Sequence, residues 1–156
     1  MMKKTVLLAL CSVLILALTA CGQAAKEKKG DAMSLEEIFT AIQTDVDNLP
    51  EVAYTKLNAD NYNYYLFIDP VEGAEALAGD AAINAIPHSA VLLRVPDAAD
   101  AVSIAKNIED NANLNKWICV GAEKKIVKVH NSTILLIMSA SDTADSIAAN
   151  FDKLWE

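Results

Sequence analysis

Two histidines, four tyrosines and three cysteines are the side chains here whose chemistry goes beyond packing. His88 and His130 are the residues suited to moving a proton near neutral pH. If the strands carrying them lie side by side and parallel, both imidazoles fall at one edge of a sheet. An acid–base pair or two ligands of a metal would then be within reach. Two ligands do not complete a site, and no H-E-x-x-H or C-x-x-C accompanies them, so the sequence calls for no metal and no cofactor. It holds no G-x-S-x-G either, and Gly121 lacks the neighbours of a phosphate loop. Tyr54, Tyr62, Tyr64 and Tyr65 alternate with Asn58, Asn61 and Asn63 in a polar-aromatic patch of the sort that lines sugar or peptide clefts. The competing reading is a set of packing tyrosines, their rings in a core and only their hydroxyls outside. An open groove lined by Tyr62, Tyr64 and Tyr65 would decide for recognition.

The cysteines divide by position. Cys11 sits in an apolar run, Thr5 to Leu18, that follows Lys3 and Lys4. Its 14 residues fall short of the ~20 that span a bilayer, so residues 1–20 read as a cleavable export signal. Leu18-Thr19-Ala20-Cys21 then resembles the lipobox of bacterial lipoproteins. That resemblance implies diacylglycerol on the Cys21 thiol, cleavage after Ala20, and fatty acids such as palmitate holding the chain on the outer face of a cell membrane. Two acyl chains anchor stably where one, at roughly 0.8 kcal/mol per methylene, does not. An ordinary secretory signal is the alternative, but Leu18 spoils the small-residue pattern its cut requires. Cys119 is left alone, unable to form an internal disulfide. Within Trp117-Ile118-Cys119-Val120 it reads as a buried small hydrophobe.

Residues 21–33 read as a lipidated cysteine and a flexible tether, since Gln23, Lys26, Glu27, Lys28, Lys29, Gly30 and Asp31 show no apolar periodicity. Residues 34–156 form one domain large enough for a core. Loss of Lys3 and Lys4 moves the net charge from −8 to −10. So acidic a body argues against nucleic acid as a partner and is repelled by anionic membrane, leaving the lipid and tether lysines to hold the surface.

Ser34-Leu35-Glu36-Glu37 is a capping box, and Leu35, Ile38, Ile42, Val46 and Leu49 continue one helical stripe up to Pro50. Tyr62 to Ile68 reads as a short edge strand or extended loop. Asp69-Pro70-Val71-Glu72 opens an alanine-rich helix reaching about Ile86, with a break near Gly79-Asp80. His88 to Val95 is a strand, and Asp97 starts a helix presenting Ala98, Ala101, Ala105, Ile108 and Ala112. Lys125 to His130 and Thr133 to Ser139 are strands joined by Asn131-Ser132. Ser141 or Asp142 caps a last helix whose Ala144, Ile147, Phe151 and Leu154 turn inward. Residues 88–108 also match 131–151 at eight positions with an offset of 43, Leu92/Leu135 and Ile104/Ile147 among them. The order implied is α+β: a two-layer, ferredoxin-like β-α-β-β-α core with additional N-terminal helices. A right-handed crossover would place its first and third strands side by side and parallel.

The lipobox, the helix ending in Asn48-Leu49-Pro50, Phe67-Ile68-Asp69-Pro70, Trp117 and the hairpin Ile126 to Leu136 together resemble a family of bacterial lipoproteins carrying domain of unknown function 4358. The resemblance implies this anchored architecture and imports no activity. Three functions stay open. One is a non-enzymatic binding or interaction domain of the cell envelope, its partner an envelope protein or small ligand. Another is a small envelope enzyme working at the His88/His130 edge, and the third an accessory solute-binding lipoprotein.

Overall fold

The structure, a computed structural model, describes residues 28–156, so the expected export signal, Cys21 and the first part of the expected tether lie outside it. Its elements run α1 (Lys29–Ala32), α2 (Leu35–Gln43), β1 (Val52–Lys56), α3 (Tyr62–Leu66), β2 (Glu75–Ala81), β3 (Ser89–Arg94), α4 (Ala101–Asn111), β4 (Lys124–His130), β5 (Thr133–Ser139) and α5 (Ser141–Lys153). The architecture is α+β. One five-stranded sheet has the order β1-β2-β3-β5-β4, with every neighbouring pair antiparallel.

The expected neighbours β3 and β5 do pair, but antiparallel: Ser89 faces Met138 and Arg94 faces Thr133. The crossover through α4 joins β3 to β4, and these are the parallel pair, with β5 between them. A second correction concerns the layers. Strand β5 is buried at every residue, and its side chains alternate between two cores. Ile134, Leu136 and Met138 pack with Val91, Leu93 and Ala101, Ala105 and Ile108 of α4. Leu135 and Ile137 pack on the other face with α2 and with Ala144, Ile147 and Phe151 of α5. The sheet is therefore sandwiched between helices, giving three layers where two were expected. The two strand–helix units that echo each other in sequence send their helices to opposite faces.

The segment 69–86 is not helical. Gly73, at φ 72°, turns the chain into β2, which pairs with both β1 and β3. Alanine's helix propensity loses here to packing, since small residues are what this site admits. A Cβ on Gly79 would lie 2.8 Å from Val52 Cγ1 and 3.3 Å from the rings of Phe39 and Tyr54. Residues 62–66, expected extended, form a helical turn. Asparagine side chains bend the chain into it: Asp60 N donates to Asn58 Oδ1 and Asn58 N to Asn61 Oδ1. Tyr62 and Leu66, four apart, then reach the core on one face.

Helix α2 has its capping box, with Glu37 N donating to Ser34 Oγ, but ends at Gln43 rather than Leu49. Asp45 and Asn48 at positive φ break it, while Val46 and Leu49 still pack on the core. Helix α4 begins three residues late, capped by Asp100, so Ala98 stays exposed. No side chain of its own caps α5; Ser141 N donates to Glu123 Oε2 instead. Residues 28–33, expected as tether, are docked. Gly30 N donates to Leu154 O, Trp155 Nε1 and Asn131 Nδ2 donate to Asp31, and Arg94 donates to the carbonyls of Gly30 and Met33.

Candidate functional site

Antiparallel pairing decides where the polar groups gather. Residues opening β3 lie beside those closing β5 and β2, because Ser89 faces both Met138 and Asp80. The connection from α4 to β4 drops Lys116 onto this end of the sheet. Its Nζ donates to Ser89 Oγ at 2.8 Å and meets Asp80 Oδ2 at 3.3 Å, with only 3% of the side chain exposed. Three rings surround the same ammonium: Tyr64, Tyr65 and Trp117, at 4.9, 5.0 and 5.1 Å from their centroids. Each face-on contact is worth roughly 0.5–2 kcal/mol, more as water is excluded. Burial lowers the Lys116 pKa, and the Asp80 carboxylate opposes that shift.

His88 lies behind this cluster, 1% exposed, its Nδ1 3.0 Å from Ser139 Oγ and its Nε2 without a partner. Burial pulls its pKa down to about 4, outweighing Asp80, and Lys116 adds to the fall. The imidazole is neutral in ordinary conditions. Ser89 and Lys116 carry the atoms of a serine–lysine pair, yet Ser89 is fully buried and the Lys116 amine is engaged by Asp80. The hydroxyl is not accessible to a substrate as a nucleophile would have to be.

In front of Lys116 opens a pocket of about 480 Å³, lined by Tyr64, Asn84, Ala85, Lys116, Trp117, Ile118 and Cys119. That volume suits a small ligand or a few side chains. Ile118 is wholly exposed, Tyr64 half-exposed, and Ile83 and Ile86 of the β2–β3 loop are also uncovered. Cys119 is exposed at this rim, not buried as its apolar neighbours implied. Its loop leaves the sheet surface between Trp117 and the start of β4, so local hydropathy misled.

The histidines are not at one edge. His130 closes β4 opposite Thr133, whereas His88 sits beside Ser139, and the length of β5 separates them by about 20 Å. His130 stacks on Trp155 at 5.1 Å, and its Nε2 meets Asp152 Oδ1 at 2.8 Å, while Lys128 bonds the other oxygen. Burial pushes the Asp152 carboxyl up, but these two partners together hold its pKa below the usual value. This cluster fastens the C-terminal helix and α1 to the hairpin. The enzyme reading that needed a histidine pair falls with the geometry.

The tyrosine patch divides between its two readings. Tyr62 is a core residue, 4% exposed. Tyr64 and Tyr65 meet edge to face at 4.9 Å and wall Lys116, Tyr64 reaching the pocket. Tyr54 packs on Phe39 on the opposite face. Sequence reasoning missed Asp80, Ser89 and Lys116 as site residues, since they are far apart in the chain, and took Trp117 only as part of an apolar run and of the family resemblance. Among the described residues no group of three or more His, Cys, Asp or Glu could hold a metal, and no helix is long and apolar enough to cross a membrane. Comparison of the chain with protein families, characterised proteins and solved structures finds no match.

Proposed function

We propose that this chain is a lipid-anchored extracytoplasmic protein whose domain binds a partner in the cell envelope without catalysing a reaction. The anchor rests on Leu18-Thr19-Ala20-Cys21, with the acyl chains on Cys21 holding the membrane. The resemblance to the lipoproteins with domain of unknown function 4358 belongs to the same reading. So does a ferredoxin-like β-α-β-β-α order from β3 to α5, with α5 on the face opposite α4 and β2 beside β3.

One observation carries the binding function: a pocket of about 480 Å³ rimmed by the wholly exposed Ile118 and by Trp117 and Tyr64. Covering a large apolar side chain that stands wholly in water would favour a partner's binding. The buried Lys116 stiffens the rim by holding Tyr64, Tyr65 and Trp117 around one charge. The complementary partner is an apolar or aromatic group, from an envelope protein or a small ligand.

Two measurements test the two halves. Metabolic labelling with a fatty-acid analogue should mark the native protein and not Cys21→Ala; undiminished label on the variant would sink the anchor. A photo-crosslinking residue placed at Ile118 in intact cells should give adducts that the same residue at Val102, also exposed, does not. Identical patterns from both positions would remove the pocket as the binding surface.

A further inference from the structure

Strand β1 closes the sheet on one side, and among the described residues no strand pairs with its outer edge. Its bonds to the strand inside it fix which backbone groups stand open. Leu57 N donates to Ala76 O and Ala82 N to Glu51 O, in a register that sets Val52 opposite Ala81 and Lys56 opposite Leu77. Bonded residues alternate along an antiparallel pair, so residues 51, 53, 55 and 57 direct their amides and carbonyls to β2. The N–H and C=O of Val52, Tyr54 and Lys56 therefore face outward. The opposite edge is guarded: β4 carries Lys124, Lys125 and Lys128, the charged pattern by which edge strands discourage pairing. β1, Val-Ala-Tyr-Thr-Lys, has one lysine and no other charge. We propose that β1 pairs antiparallel with β1 of a second copy of this chain, about a two-fold axis at Tyr54, joining two sheets into one.

An open ladder calls for an extended backbone, and this strand is complementary to itself. The two-fold axis matches the three outward residues among themselves: Tyr54 with Tyr54, and Val52 with Lys56 in both directions, each a hydrogen-bonded pair. The one charge on β1 meets valine rather than its own copy, and stays beside Glu36 of its own chain, 3.4 Å away. The helical layers fit as well. Helix α2 packs on β2 and β3, so β1 lies beyond its cover. Pairing would put the two β2 strands three strand spacings apart, about 14 Å, and the two α2 helices about as far. Packed helices need only about 8–10 Å, so these two do not collide and a trough stays open between them. Each chain already forms half of that trough, a groove of about 380 Å³ lined by Glu36, Phe39, Thr40, Tyr54, Lys56 and Leu77. Tyr54 stands half-exposed in it, its ring edge-on to Phe39 and its hydroxyl donating to Gln43. The Tyr54 of the second copy fills the groove, making an aromatic cross-strand pair of the kind that stabilises sheets.

Sedimentation of the native full-length protein in density-matched detergent should give twice the monomer mass. Tyr54→Pro removes an outward-facing amide and leaves the ladder to β2 whole, so it should sediment as a monomer that still unfolds cooperatively. A native protein that is monomeric at every concentration overturns the self-pairing and leaves the edge to a strand of another protein. A dimer that Tyr54→Pro fails to dissociate overturns this surface. A second measurement is independent of how that variant folds. In the paired state the Cα atoms of position 54 lie about 5.5 Å apart, within disulfide range. Mild oxidation should link Tyr54→Cys, made in a Cys119→Ser parent, into dimers well above the parent's background, and should not link Val102→Cys, at an exposed position of α4. Linking no greater at position 54 than at position 102 overturns the proposal.

Discussion

His88 should make this domain acid-sensitive in a window set by its own burial. Its pKa falls from 6.5 in a free chain to about 4 in the fold, because the ring is enclosed with Lys116 nearby and only Asp80 pulling the other way. The folded value is the depressed one. The neutral imidazole therefore contributes stability that is fully present above pH 6.5 and lost as pH falls towards 4, since the unfolded chain takes up a proton that the native state refuses. The full interval corresponds to about 3 kcal/mol, and linkage places about 2 kcal/mol of it between pH 7 and pH 5. His88→Leu removes the titration. It also forfeits the bond to Ser139, at about 1 kcal/mol, but at every pH alike. Urea unfolding of both proteins at the two pH values gives the double difference. Native protein should lose about 2 kcal/mol more than the variant on acidification. A gap that stays constant across the two conditions would refute the assignment of a buried, neutral His88.

Two further perturbations test the architecture. Leu135 and Leu136 are both fully buried but belong to different cores, so Leu→Ala at either should cost about 2–5 kcal/mol in urea melts, and a loss under about 1 kcal/mol at one of them would mean that face is open. Gly30→Ala drives a methyl group into the Trp155 indole, which should free residues 28–33 while β5 keeps its amide-exchange protection; an amide at position 30 as protected as in the native protein would contradict the docked segment.

How much of this was legible depends on whether a residue's partners are near it in sequence. The capping box of α2, the Asn131-Ser132 hairpin and the inward face of α5 are local patterns, and the structure has all three. The run Ile134 to Met138, apolar at every position, suits an interior strand, and β5 is paired on both sides. Its unbroken apolarity also carried a message that the two-layer reading discarded, since a strand covered on one face alternates and this one does not. The stretch Glu75 to Ala81 was illegible for a different reason. Alanine and glycine there satisfy a helix and a crowded strand equally, and only Phe39, Val52 and Tyr54, arriving from elsewhere, settle the choice.

The candidate site shows how a single sign error moves chemistry across a molecule. Pairing β5 with β3 was right and its direction was wrong. Reversing a strand of seven residues leaves its neighbours and its buried faces unchanged, yet carries everything attached to its ends across the sheet. His130 thereby leaves His88 for Trp155 and Asp152, and the supposed proton-transfer edge becomes two unrelated environments. The same reversal brings the closing end of β5 to the opening end of β3, where Ser139 meets His88 and Lys116 finds Asp80 and Ser89. Asp80 and Lys116 are 36 residues apart, and no local spacing announces their pairing. A lysine amid Asn113, Asn115 and Trp117 reads as solvated; it becomes a buried charge within three aromatic rings only once the sheet fixes which end it caps. The fold therefore places the aromatic pocket and the docked residues 28–33 at opposite ends of the sheet, a separation that strand direction sets.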